Sequence, residues 1–223
     1  MKIFAHRGLW RKLKEENTLE AIEGAFRAGF DLETDVRIQD SNFVIKHDPL
    51  LENEVLPKLS ELFAIFEKYD DRHIAFHFKY DDWERPNSLR AVDLLAPFSD
   101  RVFIFDVSVE YCSKIKKKNK NIKTGVSVGD KKYHNAFCDL DNALNSKAID
   151  IIWADEYRNF YSKELIDKCH QYGKLVYCIS PDLAKAVGHP RAENSYQQTW
   201  QDLIKWGADG ICTDHPVELR GLL

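Results

Sequence analysis

The chain has 223 residues, 44% of them hydrophobic and 30% charged, with a formal net charge of -4. This is the make-up of an ordinary globular protein, and one domain over residues 1–223 is large enough to bury a core. No apolar run reaches the roughly 20 residues of a membrane-spanning helix, and MKIFAHRG lacks a signal-peptide pattern. The five cysteines are scattered without C-x-x-C spacing, so neither a disulfide framework nor a thiolate zinc site is expected, and the default location is cytoplasmic.

Strand-like runs alternate with helical patterns along the whole chain. Strands are expected at residues 2–6 (KIFAH), 30–38, 73–79, 101–107, 122–128, 150–155, 174–180 and 209–214. Between them lie helical patterns such as NTLEAIEGAFRAG, LSELFAIFEKY, SLRAVDLLAPF, SKELIDKCHQYG and TWQDLIKWG, several closing on glycine as helix ends do. A short run, FVIKHDP, is expected to pair with the second strand through the turn QDSN. Eight β/α units predict a closed (β/α)8 TIM barrel, and no G-x-G-x-x-G follows the first strand to suggest a dinucleotide-binding sheet. In such a barrel, chemistry belongs at the C-terminal ends of the strands.

That rule selects His6, Arg7, Glu33, Asp35, His47, Asp48, His77, Lys79, Asp106, Asp155, Glu156, Ser180 and Asp214. Glu33 and Asp35 stand two apart and share one strand face, where their oxygens suit Mg²⁺ or Ca²⁺; a pair of interior carboxylates satisfied by Arg7 and Lys79 is the structural alternative. His77 and Lys79 share a face in the same way. His6 and His47 are two imidazoles able to remove and donate protons at neutral pH, and beside Arg7 and two carboxylates they point to chemistry on a phosphate.

The stretches AHRG, EENTLEAI, AGFDLETDV, VIKHDP and WGADGICTDHP together resemble the H-R-G, E-N-T, E-x-D-V, H-D and closing T-D-x-P elements of the glycerophosphodiester phosphodiesterase family. The resemblance implies a TIM barrel that cleaves a small phosphodiester, often through attack by the substrate's own hydroxyl. It implies His6 and His47 as the acid/base pair, Glu33 and Asp35 as ligands of a divalent metal, Arg7 and Lys79 on the phosphate, and Asn17 in support. A non-catalytic phosphoryl-ligand binder is a second reading, and because related sphingomyelinase D-like phospholipases share similar elements, a lyase acting on lipid head groups is a third.

Three departures stand out against that pattern. The family's third metal ligand is a carboxylate in an E-x-K or D-x-K triplet, but here the triplet is His77-Phe78-Lys79. An imidazole binds Mn²⁺, Zn²⁺ or Fe²⁺ better than the Mg²⁺ or Ca²⁺ of the family, so His77 as a ligand points to a changed metal, with Asp106 or water as other ways to fill the gap. The usual insertion between the H-D element and the next barrel strand is missing, which predicts a more open pocket. Where the family has W-T-x-N, this chain has Cys178-Ile179-Ser180-Pro181.

Trp10, Trp83, Trp153, Tyr157, Phe160 and Tyr161 are expected on or near loops at the barrel mouth, either packing the loops or stacking on a ligand. The lysine run SKIKKKNKNIK reads as a solvated helix end rather than a nucleic-acid patch, since the chain is slightly acidic and the run lacks interleaved aromatics. The expected partner is a small phosphodiester and no nucleic acid; no pattern sets an oligomeric state.

Overall fold

The computed structural model describes residues 1–79, 88–130 and 138–223. Nine strands form one sheet: β1 (Lys2–His6), β2 (Asp31–Gln39), β3 (Asn42–Ile45), β4 (Ile74–Phe78), β5 (Val102–Phe105), β6 (Lys123–Gly129), β7 (Ile151–Asp155), β8 (Leu175–Ile179) and β9 (Gly210–Thr213). Eight of them pair in parallel in the order β1-β9-β8-β7-β6-β5-β4-β2, and β1 pairs again with β2 to close the ring. The seam is set by Phe4 opposite Asp31 and His6 opposite Glu33 on one side, and by Phe4 opposite Cys212 on the other. β3 lies outside the ring, antiparallel to the end of β2. Asp40 and Ser41 connect them with φ of 47° and 66°, the left-handed pair that a two-residue hairpin of this twist requires. The expected (β/α)8 barrel is therefore the observed one, with strand ends moved by one or two residues.

Strand alternation divides the apolar residues between two cores. Ile3, Ala5, Leu32, Ile74, Phe76, Ile104, Val126, Ile152 and Val176 face the surrounding helices. Phe4, Ala75, Phe103, Phe105, Ile151, Trp153, Tyr177 and Cys212 fill the barrel itself. The inner set is an aromatic plug: Phe4 lies 5.0 Å from Tyr177 and 5.8 Å from Phe103, and Phe105 stacks on Trp153 at 3.9 Å between centroids. Gly210 makes the plug possible, since a Cβ there would stand 3.0 Å from the Tyr177 ring. Trp153 thus belongs to the barrel interior and not to a loop, a correction to the sequence reading; its strand is wholly buried, and burial of an indole outweighs its aromatic rim character.

The helices begin where side-chain caps can take the first free amides. Thr18 caps the helix Leu19–Arg27, Ser108 caps Val109–Lys118 and Ser162 caps Lys163–Gln171, each accepting from the third residue on. Gly29, Gly173 and Gly207 follow helix ends at positive φ, as the glycine endings predict. In the lysine run, Lys114, Lys116 and Lys118 pair with Glu110, Asp150 and Asp93. Among the described residues, no helix is long and apolar enough to cross a membrane.

Candidate active site

Above the aromatic plug, at the C-terminal ends of the strands, the interior turns polar. A pocket of about 200 Å³ opens there, lined by His6, Arg7, Glu33, His47, His77, Phe105, Asp106, Ser127, Trp153, Asp155 and Tyr157, with Ile179, Leu183, Ala184 and Cys212 on the apolar side. The structure therefore gathers residues from all eight barrel strands and their loops into one concavity.

The turn after β1 is shaped by its own sequence. Arg7 and Gly8 take φ of 57° and 99°, and a Cβ on Gly8 would stand 2.7 Å from the backbone of Ala21, so only glycine lets the turn pack on the first helix. Asn17, also at positive φ, donates from Nδ2 to Asp35 Oδ2 at 2.9 Å and accepts from Thr34 Oγ1 at 2.8 Å. Glu16 holds Arg7 Nη1 at 2.6 Å. Each residue of the E-N-T element thus has a separate task, with Thr18 capping the helix.

Asp35 is the electrostatic centre. Its carboxylate meets Lys79 Nζ at 2.5 Å, Arg7 Nε at 3.0 Å and His77 Nδ1 at 3.2 Å. Burial would push its pKa up, but Lys79, His77 and Arg7 overcome that and hold it well below the usual carboxylate range. Asp35 thus has both cationic partners, Arg7 and Lys79, that the ion-pair alternative names. Glu33 differs: it is buried, Oε2 has no hydrogen-bond partner among the described residues, and burial together with the Asp35 charge raises its pKa.

His77, on β4, spans two carboxyl groups. Nε2 donates to Asp106 Oδ2 at 2.8 Å, while Nδ1 looks toward Asp35 and, at 3.9 Å, Glu33. Burial and the Lys79 charge oppose its protonation, yet Asp106 and Asp35 prevail and the pKa rises to about 9. At neutral pH the metal-free imidazole therefore holds both protons.

Glu33, Asp35 and His77 each offer a ligand atom, all within 4.8 Å of one another. These residues fit a divalent cation: the Glu33 Oε2, without a hydrogen-bond partner among the described residues, would serve as a donor atom, and the Asp106 bond to Nε2 would leave Nδ1 to face the cation, as a carboxylate supports a metal-bound histidine.

His6 and His47 both reach the pocket but live in different settings. His6 Nδ1 donates to Asp214 Oδ1 at 2.6 Å, which turns Nε2 toward Glu33 Oε2, 3.9 Å away. Asp214 is placed in turn by buried Asp182, which accepts from its amide at 2.9 Å and from Thr213 Oγ1. Burial depresses the His6 pKa, but the Asp214 bond and the Glu33 charge raise it overall. His47 lies beyond β3, half exposed, with Nδ1 on Asp48 at 2.8 Å. Burial and the charges of Lys79 and Arg7 lower its pKa.

The strand-end rule selected Asp214 and Asp155 without giving them tasks and offered Asp106 as a way to fill the metal-ligand gap, whereas the structure sets Asp106 on His77 Nε2; these partners come from strands distant in sequence, so spacing alone offers no signal. Of the rim aromatics, Tyr157 lines the pocket, Tyr161 is buried with its hydroxyl on Ala154 and Ile179 carbonyls, and Trp10 donates to the His6 carbonyl. Trp83 lies outside the described residues. In the stretch that stands where the family pattern has W-T-x-N, Pro181 takes the place of the amide, and Ser180 before it is buried and accepts from Trp200 Nε1 at 2.7 Å, so Ser180 faces a helix and not the pocket.

The sequence profile of the glycerophosphoryl diester phosphodiesterase family matches residues 6–56 and 52–218. A solved protein from Galdieria sulphuraria shares the fold with a TM-score of 0.75 at 19% identity, covering 99% of this chain and 96% of its own. A glycerophosphodiester phosphodiesterase from Parabacteroides distasonis does so with a TM-score of 0.74 at 17% identity, covering 99% of this chain and 95% of its own. Among curated proteins, none matches in sequence. Because the matched segments run from His6 through the last barrel strand, and carry the residues that the barrel gathers at its mouth, the chain belongs to the glycerophosphoryl diester phosphodiesterase family, whose members are phosphoric diester hydrolases.

Proposed function

We propose that the protein cleaves a small glycerol-type phosphodiester with the help of a divalent metal held by Glu33, Asp35 and His77. When bound, such a cation would neutralise charge developing on the phosphate oxygens. Arg7 and Lys79, the two cations bordering the ligand cluster, are the groups to orient the phosphate, and Asn17 keeps the Asp35 carboxylate from rotating.

His47 acts as general base and His6 as general acid. His47 is the half-exposed imidazole with a lowered pKa, so it is neutral and free to accept a proton from the attacking hydroxyl. His6, held by Asp214 on one nitrogen, keeps its proton and delivers it from Nε2 to the leaving oxygen. The single observation that carries this reading is that both imidazoles line the same pocket as Glu33 and His77.

The test follows glycerophosphodiesters and lysolipids by phosphorus NMR with Mg²⁺, Ca²⁺, Mn²⁺ or Zn²⁺ supplied in turn. Turnover is expected with at least one metal and is abolished by His6→Ala and by His47→Ala. Ligand binding without turnover under every metal overturns the catalytic reading in favour of a binding protein; turnover of lysolipids alone favours the lipid head-group lyase.

A further inference from the structure

The pocket has a second polar wall, away from the carboxylate and histidine cluster, on β6 and β7. Asp155 ends β7 and is 4% exposed, yet it lines the pocket, and its Oδ1 has no hydrogen-bond partner among the described residues. Ser127 on β6 lies on the same wall with its hydroxyl bearing on Asp155, and Tyr157 stands at the rim. The next residue shows what a structural carboxylate looks like here: Glu156 points the other way and is satisfied by His189 Nε2 at 3.2 Å and by the amides of Phe160 and Tyr161. Asp155 has no such set of partners, and it is not one of the three residues clustered to hold a cation.

A buried carboxyl group with unused hydrogen-bonding capacity is unfavourable in the empty pocket and becomes favourable when a ligand supplies the partner. We propose that Asp155 and Ser127 form a hydroxyl-binding subsite, which holds the second alcohol of a glycerophosphodiester, the one opposite the glycerophosphoryl half, and selects diesters in which that alcohol carries free hydroxyls, as a polyol does. This rests on the phosphodiesterase reading above and adds substrate class to it. The wall favours a hydroxyl over an ammonium group: Asp155 Oδ1 and the Ser127 hydroxyl are hydrogen-bonding groups without a fixed countercharge, and burial and the neighbouring Asp106 charge push the Asp155 carboxyl well above its ordinary range, which disfavours the anion that an ammonium group would pair with. Phe105 stacked on Trp153 forms an apolar floor beside it, against which the carbon skeleton of a polyol lies. An alkyl alcohol in the same place would leave the carboxyl unpaired, and sites built for a hydroxyl reject such analogues strongly.

The experiment compares kcat/KM of the whole protein for three diesters with a common glycerophosphoryl half, whose second alcohol is glycerol, 1-propanol or choline. It is run on the wild type and on Asp155→Ala, Asp155→Asn and Ser127→Ala. The wild type is expected to favour the glycerol diester over the propanol diester by about tenfold or more. That ratio should collapse toward one in Asp155→Ala and fall partway in Ser127→Ala. A wild-type ratio near one, a preference for the choline diester, or a ratio unchanged in Asp155→Ala overturns the subsite and leaves the phosphodiesterase reading standing. No turnover of any diester with any metal overturns both. Asp155→Asn, whose amide still donates and accepts, is expected to keep the preference; should circular dichroism show Asp155→Ala unfolded, the ratio in Ser127→Ala decides, and an unchanged ratio there overturns the subsite.

Discussion

Asp214 Oδ1 lies 2.6 Å from His6 Nδ1, so an acid at the end of the last barrel strand orients an imidazole at the end of the first, across the seam where the barrel closes. Their separation in sequence is 208 residues. Asp214→Asn keeps the shape but no longer specifies which nitrogen of His6 carries the proton. The expected result is a loss in kcat on the order of 10², with KM changed little, measured on the best diester.

The opposite shifts of the two imidazoles set the shape of the pH profile. Catalysis requires His47 neutral, hence pH above its lowered pKa, and His6 protonated, hence pH below its raised one. A plot of kcat/KM is expected to show a plateau spanning the ordinary histidine value of about 6.5, with an acid limb below it and an alkaline limb above. Asp214→Asn should bring the alkaline limb down, because the bond that raises His6 is weakened. A profile with a sharp peak and no plateau would mean that the two imidazoles are not shifted apart.

His77 in the third ligand position makes a prediction about metal choice. Thermal unfolding is expected to show greater stabilisation by Mn²⁺ or Zn²⁺ than by Mg²⁺ or Ca²⁺, and His77→Glu should reverse that order. At 100 times the dissociation constant a ligand adds about 2.7 kcal/mol, or roughly 5–10 °C for a chain of this size. His77→Ala should lose most of the shift with every metal.

Glu33 is buried beside Asp35, with an oxygen that has no hydrogen-bond partner among the described residues. Glu33→Gln removes that charge while conserving shape. In chelator-treated protein it is expected to unfold at a higher temperature than the wild type, and it should no longer respond to added metal. A variant that is less stable without metal, yet still responds, would show that Glu33 serves the fold.

The aromatic plug carries the barrel. Phe4 is fully buried among Phe103, Trp153 and Tyr177. Phe4→Ala is expected to cost about 3–5 kcal/mol, read as a lowered midpoint in denaturant with an unchanged slope.

Much of this was legible in the chain before folding. Strand alternation set Glu33 beside Asp35 and His77 beside Lys79, because a period of two is a property of any strand whatever its neighbours. The helix C-terminal ends followed from the glycines, which act within a few residues. Trp153 was misread for a reason of the same kind: local pattern shows that a residue is near a strand end, but not that the strand is buried on both faces.

By itself, then, the sequence determined the order of the elements, the barrel they close into, and the residue types available at each strand end, since these depend on local periodicity and chain length. Only the tertiary structure decided who faces whom. Ring closure brings Asp214 to His6, β4 against β5 brings Asp106 to His77, and β7 carries Asp155 to the wall of the pocket. Those encounters join residues far apart along the chain, and their strength depends on burial, which exists only once the barrel has excluded water.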